Sequence, residues 1–151
     1  MRENVHESED QRDRPGHPGE FDVKYFDRMQ RHLRGKGLIA TDDIIQSGIT
    51  GGLALELGSG PGYLGLEWLQ RTGGSSLCGV EISRNMINIA QKNAREYGLA
   101  SRAEYTLGRV EEVPFGDEVF DAVFSNGSLH EWSDPERAFH EIYRVLKPGG
   151  R

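Results

Sequence analysis

The chain has 151 residues, of which 36% are hydrophobic and 28% are charged, and its formal net charge is −6. This length and composition indicate a single soluble globular domain with a sizeable core. The negative charge supplies no general attraction for nucleic acid, and no apolar run approaches the ~20 residues that span a bilayer. The only cysteine, Cys78, cannot form an internal disulfide, which fits a reducing, cytoplasmic compartment.

The N-terminal third of the chain is predicted to contribute little to the sheet. Residues 1–20 are charged and rich in proline and glycine, with few apolar side chains, and we expect a disordered or loosely held arm there. N-terminal helices are expected within 21–50. Apolar side chains recur at helical spacing from Phe21 to Leu33, and Thr41-Asp42-Asp43 is typical of the N-cap of a second, short helix. The remaining residues, 51–151, are predicted to form one domain.

Within this domain, apolar strands alternate with amphipathic helices. The predicted strands are Leu53–Leu57, Ser76–Ile82, Ala103–Val110 and Val119–Ser125. The predicted helices run from Tyr63 to about Gln70, from the N-cap Ser83 to Gly98, and from Asp134-Pro135 to Pro148. The last helix is expected to bury Ala138, Phe139, Ile142, Tyr143 and Leu146. Such alternation predicts an α/β fold with a parallel sheet and helices on both faces.

The first strand ends in a carboxylate, and a glycine-rich turn follows it directly. Gly58, Gly60 and Gly62 allow the chain to turn sharply into a helix and leave room for a ligand. The same glycines satisfy a dinucleotide-binding pattern, which is a weak signal when it stands alone. Glu56 argues against a pyrophosphate and favours a ligand that carries an ammonium and a sulfonium. The alternative is a plain tight turn with a solvated Glu56.

The second strand also ends in a carboxylate. Glu81 lies where an acid can accept hydrogen bonds from both hydroxyls of a ribose, although an acid that merely stabilises the next helix start is the alternative. Ile82, Met86 and Val110 are candidates to enclose a flat base, and Met86 has ordinary helix core as an equally good interpretation.

The loop after the fourth strand carries polar and aromatic groups. Backbone carbonyls near Ser125 and Asn126 are candidates to hold an ammonium group. His130 is a candidate general base or substrate contact, and the competing interpretation is that His130 and Trp132 only pack the loop onto the last helix. No cluster of residues in the sequence has the spacing of a metal site.

Taken together, these motifs resemble the class I S-adenosylmethionine-dependent methyltransferases, and in particular the small-molecule branch that includes ubiquinone and menaquinone biosynthesis enzymes. The similarity runs from about Leu53 to the C-terminus. It is carried by Glu56-x-Gly58-x-Gly60-x-Gly62, Gly79-Val80-Glu81-Ile82-Ser83, Val113-Pro114-Phe115, Phe120-Asp121-Ala122-Val123, Ser128-Leu129-His130 and Glu141-Ile142-Tyr143-Arg144-Val145-Leu146-Lys147-Pro148-Gly149-Gly150.

The resemblance implies a Rossmann-like methyltransferase fold with strand order 3-2-1-4 and S-adenosylmethionine as the cofactor. The residues implied to bind it are Glu56, Gly58, Ser59, Gly60, Gly62, Glu81, Ile82, Met86, Arg109, Val110, Ser125 and Asn126. Two residues depart from the family pattern. Arg109 stands where an aspartate usually recognises the adenine amino group, and Glu131 stands where a second histidine is common.

The family pattern continues beyond the Pro-Gly-Gly turn, so the resemblance implies a member that lacks its C-terminal strands. The function it implies is methyl transfer to a small-molecule acceptor. The alternatives are a cofactor-binding module without turnover and, more distantly, an NAD-dependent oxidoreductase. Without a fifth strand, the fourth strand is expected to have an open edge through which chains self-associate.

Overall fold

The computed structural model describes residues 27–29, 31–32 and 40–151 of the protein. The arm expected at 1–20 lies outside these residues. Within the first predicted helix, the described residues 27–29 and 31–32 are helical, and the rest of that helix also lies outside the described part.

A four-stranded parallel sheet forms the centre of the fold. Its strands are β1 (Leu53–Leu57), β2 (Ser76–Glu81), β3 (Ala103–Leu107) and β4 (Ala122–Phe124), in the order β3-β2-β1-β4. The helices are α1 (Thr41–Gln46), α2 (Tyr63–Arg71), α3 (Arg84–Glu96) and α4 (Pro135–Val145), and Leu129–Glu131 adds one turn of 3₁₀-helix. The predicted fold class and strand order are confirmed.

Alternate residues of β1, β2 and β4 enter two separate hydrophobic cores, whereas the edge strand β3 contributes to the first core only. In β1, Ala54 belongs to a core that includes Trp68 of α2, whereas Leu55 and Leu57 belong to a second core with Val145 of α4. This alternation is the period of a pleated strand that is buried on both faces. The sheet therefore has helices on both sides, and the carboxyl ends of its strands meet along one edge.

Three strands are shorter than predicted, β2 by one residue and β3 and β4 by more. β3 ends at Leu107, where the chain turns at Gly108. β4 lacks the apolar residues before Ala122 because the backbone N–H groups of Val119 and Phe120 donate to the Val145 carbonyl, at 2.8 and 2.9 Å, and not to the sheet. The Val145 carbonyl at the end of α4 thus accepts hydrogen bonds that the sequence pattern had predicted within the sheet.

Two local predictions about helices are wrong. In α4, Phe139 and Tyr143 are 57% and 85% exposed, while Ala138 and Val145 are fully buried. The apolar stripe of this helix is broader than the surface that the sheet offers it.

Thr41 is the first residue of α1 and not its N-cap, and its buried hydroxyl accepts and donates no hydrogen bond among the described residues.

The outer edge of β4 is partly paired. The Arg151 N–H donates to the Asp121 carbonyl at 3.1 Å, and the Val123 N–H donates to the Arg151 carbonyl at 2.7 Å. This is the hydrogen-bond pattern of a parallel neighbour. A fully open edge is therefore the wrong description of β4 over Asp121–Val123, and self-association through this edge stays a prediction.

Candidate active site

A cleft of about 550 Å³ opens at the carboxyl ends of the strands. Among the residues predicted to bind a cofactor or to act in catalysis, those that line this cleft are Gly58, Glu81, Ile82, Arg109, Val110 and His130. Ligands of open parallel sheets bind at this position, and the cavity lies within the usual size range for small-molecule sites.

The glycine turn borders the cleft at Gly58, whereas Gly60 and Gly62 lie outside its lining. Gly58, Gly60 and Gly62 have φ values of 69, 52 and 88°, in the left-handed region that favours glycine. Gly58 is further required by close packing, since a Cβ there would lie 2.6 Å from the Cβ of Ser128. The turn itself is secured from α3, because the Asn93 side-chain amide donates to the Pro61 carbonyl at 2.9 Å.

The Glu81 carboxylate lies between the glycine turn and the cleft. Its Oε2 accepts from the Gly60 N–H at 2.9 Å, and its Oε1 accepts from the N–H groups of Ile82 and Ser83 at 3.0 and 3.1 Å. Burial raises the pKa of Glu81, and the hydrogen bonds from these backbone groups oppose that rise. The carboxylate is consequently held in one orientation at the strand end, where a ligand hydroxyl can reach it.

Glu56 does not line the cleft. Its side chain is buried under α2, close to Gly65. The side chains of Ser59 and Met86 are also buried and do not line the cleft. Burial, followed by the nearby charge of Glu81, raises the pKa of Glu56 to about 8. Glu56 therefore lies outside the lining of the empty cleft, and its predicted contact with a ligand stays a prediction.

The loops after β3 and β4 are joined across the cleft by Glu111. Its Oε1 accepts from the backbone N–H and the hydroxyl of Ser133, at 2.8 and 2.9 Å, and from the Asp134 N–H at 3.3 Å. Arg109 lies alongside, with its Nε 3.7 Å from Glu111 Oε2 and its Nη2 donating to the Ser133 hydroxyl at 3.3 Å. We call Arg109, Glu111 and Ser133 the latch. It fixes the separation of the two loops.

The polar side chains of the loop after β4 differ in their exposure. Ser125 and Asn126, which were predicted to hold an ammonium group, are exposed beside the cleft and do not line it. Ser128 is buried, and its hydroxyl accepts from the Trp132 indole N–H at 3.1 Å. His130 is exposed at the cleft mouth, with its Nε2 3.6 Å from Glu131 Oε1.

Helix α4 holds the far end of the β3 loop. The Arg144 guanidinium donates to the carbonyls of Val113 and Phe115 at 3.1 and 2.9 Å, and to the carboxylate of Glu141. Glu141 in turn accepts from the Val113 N–H at 2.8 Å. The hydrogen bonds that Arg144 donates to Glu141 raise the pKa of Arg144 and lower the pKa of Glu141, so they favour the charged form of both groups.

Sequence reasoning missed three residues that shape the site. Ser128, Glu111 and Ser133 line the cleft, but each acts through a contact with a residue distant in sequence. Only Glu111 had a local signal, because it directly follows the predicted third strand, Ala103–Val110. Among the described residues, no group of three or more histidine, cysteine, aspartate or glutamate side chains could hold a metal ion. Within the same residues, no helix is both long and apolar enough to cross a membrane.

Comparison with known proteins defines the class. Residues 55–151 match the family described as a methyltransferase domain, and the chain belongs to this family. It is 33% identical over 97 residues to the methyltransferase GfsG of Streptomyces halstedii, which covers 64% of this chain and 34% of that protein. It is 32% identical over 98 residues to the ubiquinone/menaquinone biosynthesis C-methyltransferase UbiE of Vibrio campbellii, over 64% of this chain and 38% of UbiE.

A solved structure shows the same relationship. A proposed S-adenosyl-L-methionine-dependent methyltransferase from Methanococcus maripaludis is 33% identical, with a TM-score of 0.76 over 91% of this chain and 65% of that one. The chain spans only about a third of the length of GfsG and UbiE, at 34% and 38%. The resemblance inferred from the motifs is confirmed at the level of the family.

Proposed function

We propose that the cleft binds S-adenosylmethionine and that the protein transfers a methyl group to a small-molecule acceptor. The observation that carries the proposal is the Glu81 carboxylate, which is fixed by the Gly60, Ile82 and Ser83 amides at the edge of a cleft of about 550 Å³. An acid in this place at a strand end is suited to the hydroxyls of a ribose. The family match and the similarity to GfsG and UbiE support methyl transfer as the chemistry.

The charge of the cleft fits a cationic ligand. Three carboxylates line it, from Glu81, Glu111 and Glu131, and the one cation among its lining residues, Arg109, is already beside Glu111. Such a cleft favours a sulfonium and disfavours the two negative charges of a pyrophosphate. This is the reason for ranking S-adenosylmethionine above NAD.

The residues present define roles for the parts of the ligand. Glu81 would hold the ribose, and Ile82 and Val110 would flank the base. When bound, S-adenosylmethionine supplies an activated methyl group on sulfur. The protein's part is then to orient donor and acceptor and to exclude water, which requires walls of fixed separation. The latch between the two loops meets that requirement.

Recognition of the base differs from the family pattern at Arg109. A guanidinium has only hydrogen-bond donors, so it cannot accept a hydrogen bond from the amino group of adenine. One of its donors is also already used, because Nη2 of Arg109 donates to the Ser133 hydroxyl at 3.3 Å. We propose that a backbone carbonyl of the loop after β3 accepts a hydrogen bond from the amino group instead.

His130 is the candidate catalytic residue. Its imidazole is exposed at the cleft mouth and lies 3.6 Å from the Glu131 carboxylate. A neutral imidazole there can accept a proton from a hydroxyl or amine acceptor, a step that is needed only for acceptors that must lose one. For the location of the protein, we propose the cytoplasm, because the single cysteine of the sequence, Cys78, cannot form an internal disulfide.

The test is a calorimetric titration of the wild type and of Glu81→Ala with S-adenosylmethionine, S-adenosylhomocysteine and NAD. Loss of a carboxylate that accepts from two hydroxyls costs ~1.5–3 kcal/mol, so adenosyl ligands should bind roughly ten- to a hundred-fold more weakly to the variant. Glu104→Ala, at an exposed position of β3, is the control and should bind normally.

Two further measurements make the titration decisive. Glu81→Gln keeps the shape of the side chain, and thermal melting of both variants separates a binding defect from a folding defect. Release of S-adenosylhomocysteine in the presence of phenolic or amine acceptors then distinguishes an enzyme from a binding module. An unchanged dissociation constant in Glu81→Ala, or tighter binding of NAD than of the adenosyl ligands, would contradict the proposal.

A further inference from the structure

Three strands place two polar side chains on either side of a glycine. Glu56 of β1 is in register with Gly79 of β2, and Gly79 is in register with Tyr105 of β3. Residues in register point to the same face of a sheet, so Glu56 and Tyr105 both border the space above Gly79. A Cβ on Gly79 would lie 2.6 Å from the Tyr105 ring and 2.9 Å from the Ser59 hydroxyl. Glycine at this position therefore leaves room for three polar side chains.

Helix α2 closes this space from above. A Cβ on Gly62, which precedes the helix, would lie 2.7 Å from the Tyr105 hydroxyl, and a Cβ on Gly65 would collide with Oε2 of Glu56. Positions three apart on a helix are neighbours on one face. The carboxyl and the phenol therefore lie under the same turn of backbone, directly below the glycine turn of the cleft.

The three polar groups have no partner among the described residues. Oε2 of Glu56, the Ser59 hydroxyl and the Tyr105 hydroxyl are all buried without a hydrogen bond, and the three residues are 3%, 6% and 7% exposed. A buried carboxylate with an oxygen that accepts no hydrogen bond is disfavoured relative to the neutral carboxyl. We call Glu56, Ser59 and Tyr105 the Gly79 cluster.

The charged and titratable groups around Glu56 can be named element by element. From β2 it experiences the charge of Glu81, and from β3 the phenol of Tyr105. From α2 the Gly65 N–H donates to it, and α3 brings Ala90 and Asn93 toward the same turn, neither of which titrates. Among these groups there is no cation to balance a charge on Glu56.

We propose that Glu56 is a proton-binding site coupled to the cleft, which holds a proton while the cleft is empty and releases it to solvent when a cationic ligand binds. The O–H bond of the Glu56 carboxyl breaks, its electron pair stays on the carboxylate, and the proton leaves for bulk water. Tyr105 and Ser59 are positioning residues, because their unpartnered hydroxyls can rotate to donate to the new carboxylate. The inference rests on the proposed function, since the sulfonium and ammonium of S-adenosylmethionine are the cations in question.

The direction of the coupling follows from the geometry. Glu81 touches the glycine turn through the Gly60 N–H and lies between Glu56 and the cleft. Its negative charge favours the neutral form of Glu56, and a cation placed next to Glu81 cancels that effect. Burial first, and Glu81 second, raise the pKa of Glu56 to about 8, so near neutral pH most molecules carry the proton that binding would release.

The experiment counts protons. Calorimetric titrations at pH 7.5 in buffers of different ionisation enthalpy give the number of protons released when a ligand binds. For S-adenosylmethionine and the wild type we expect roughly half a proton or more per molecule bound. S-adenosylhomocysteine lacks the sulfonium charge and should release fewer. Glu56→Gln cannot ionise and should release almost none.

A second variant tests the positioning role without depending on Glu56→Gln. Tyr105→Phe removes only the hydroxyl that would stabilise the carboxylate, so the midpoint of affinity against pH should rise by roughly half a unit to one unit. Tyr143→Phe, at a position 85% exposed, is the matched control and should leave the midpoint unchanged. Thermal melting of each variant confirms that it is folded.

The outcomes separate the two proposals. If S-adenosylmethionine and S-adenosylhomocysteine do not bind to the wild type, the proposed function fails and this inference with it. If they bind, but Glu56→Gln releases as many protons as the wild type, only the inference is overturned. An unshifted pH midpoint in Tyr105→Phe would remove Tyr105 from the proton-binding unit.

Discussion

Glu111→Ala is the sharpest test of the idea that the cleft is held open at a fixed width by the latch. The Glu111 side chain is only 12% exposed and accepts three hydrogen bonds, from Ser133 twice and from Asp134 once, at 2.8, 2.9 and 3.3 Å. Hydrogen bonds to a charged group contribute about 1.5–3 kcal/mol, and the freed amides lie near enough to solvent to be partly rehydrated. We therefore expect the free energy of unfolding to fall by about 1.5–3 kcal/mol in total.

Urea denaturation measures this loss directly, and in a chain of this size it corresponds to a melting temperature about 4–9 °C lower. Glu112→Ala is the matched control, since the neighbouring glutamate is exposed and has no assigned side-chain contact. Its effect should stay within about 0.5 kcal/mol. The affinity for S-adenosylhomocysteine should fall in Glu111→Ala alone, because the loop that carries Val110 loses its connection to the opposite wall.

The pH dependence gives an independent check. Burial opposes ionisation of Glu111, but hydrogen bonds from its own backbone, from the Ser133 hydroxyl and from the Asp134 and Ser133 amides outweigh it and lower its pKa. A carboxyl whose pKa is lower in the folded state stabilises the fold above its unfolded-state pKa, which is 4.5 here, and loses that contribution as the pH falls through the folded value. The difference between wild type and Glu111→Ala should thus shrink below pH 4.5. If Glu111→Ala and Glu112→Ala were equally stable at pH 7, the latch would have no energetic role.

Two shorter predictions concern the turn and the sheet edge. Gly60→Val places a β-branched side chain at a φ of 52° and should weaken S-adenosylhomocysteine binding at least tenfold. Gly116→Val is the control and should bind normally, because a Cβ there would meet only Val119, at 3.9 Å. Equal affinities of the two variants would remove the turn from the site. Sedimentation over a range of concentrations should reveal self-association through the edge of β4. A monomer whose sedimentation does not depend on concentration would contradict this expectation.

The sheet could be predicted from the sequence because its signals are local. Continuous apolar runs identify strands that are buried on both faces, and Ser83 caps α3 as expected, with its hydroxyl accepting from the Met86 N–H at 3.3 Å. The limits of β4 could not be predicted. Val119 and Phe120 have the composition of a strand, and only the long-range contact with Val145 shows that their backbone groups bond elsewhere.

In the candidate site, too, local sequence signals locate some residues, and only long-range packing accounts for others. Glu81 could be located because an acid at the end of the second strand occupies a position defined by topology. Ser128 could not, since its importance lies in packing against Gly58, seventy residues earlier in the chain. The burial of Glu56 was also beyond local reasoning, because it depends on Gly65 bringing α2 close to the sheet.

The contacts of Glu81 lead to a last prediction about how the cleft accepts its ligand. A carboxylate offers about four acceptor positions, and three are already used by the amides of Gly60, Ile82 and Ser83. Two ribose hydroxyls need two positions, so one amide must be released when the ligand binds.

Ile82 and Ser83 are held next to Glu81 by the chain itself, whereas Gly60 reaches it across 21 residues and sits in a glycine turn with a φ of 52°. Gly60 is therefore the amide we expect to move. Hydrogen exchange followed by NMR should show its protection falling on addition of S-adenosylhomocysteine while that of Ser83 is retained. Increased protection at Gly60 would mean that Glu81 keeps all three amides and that another group binds the ribose.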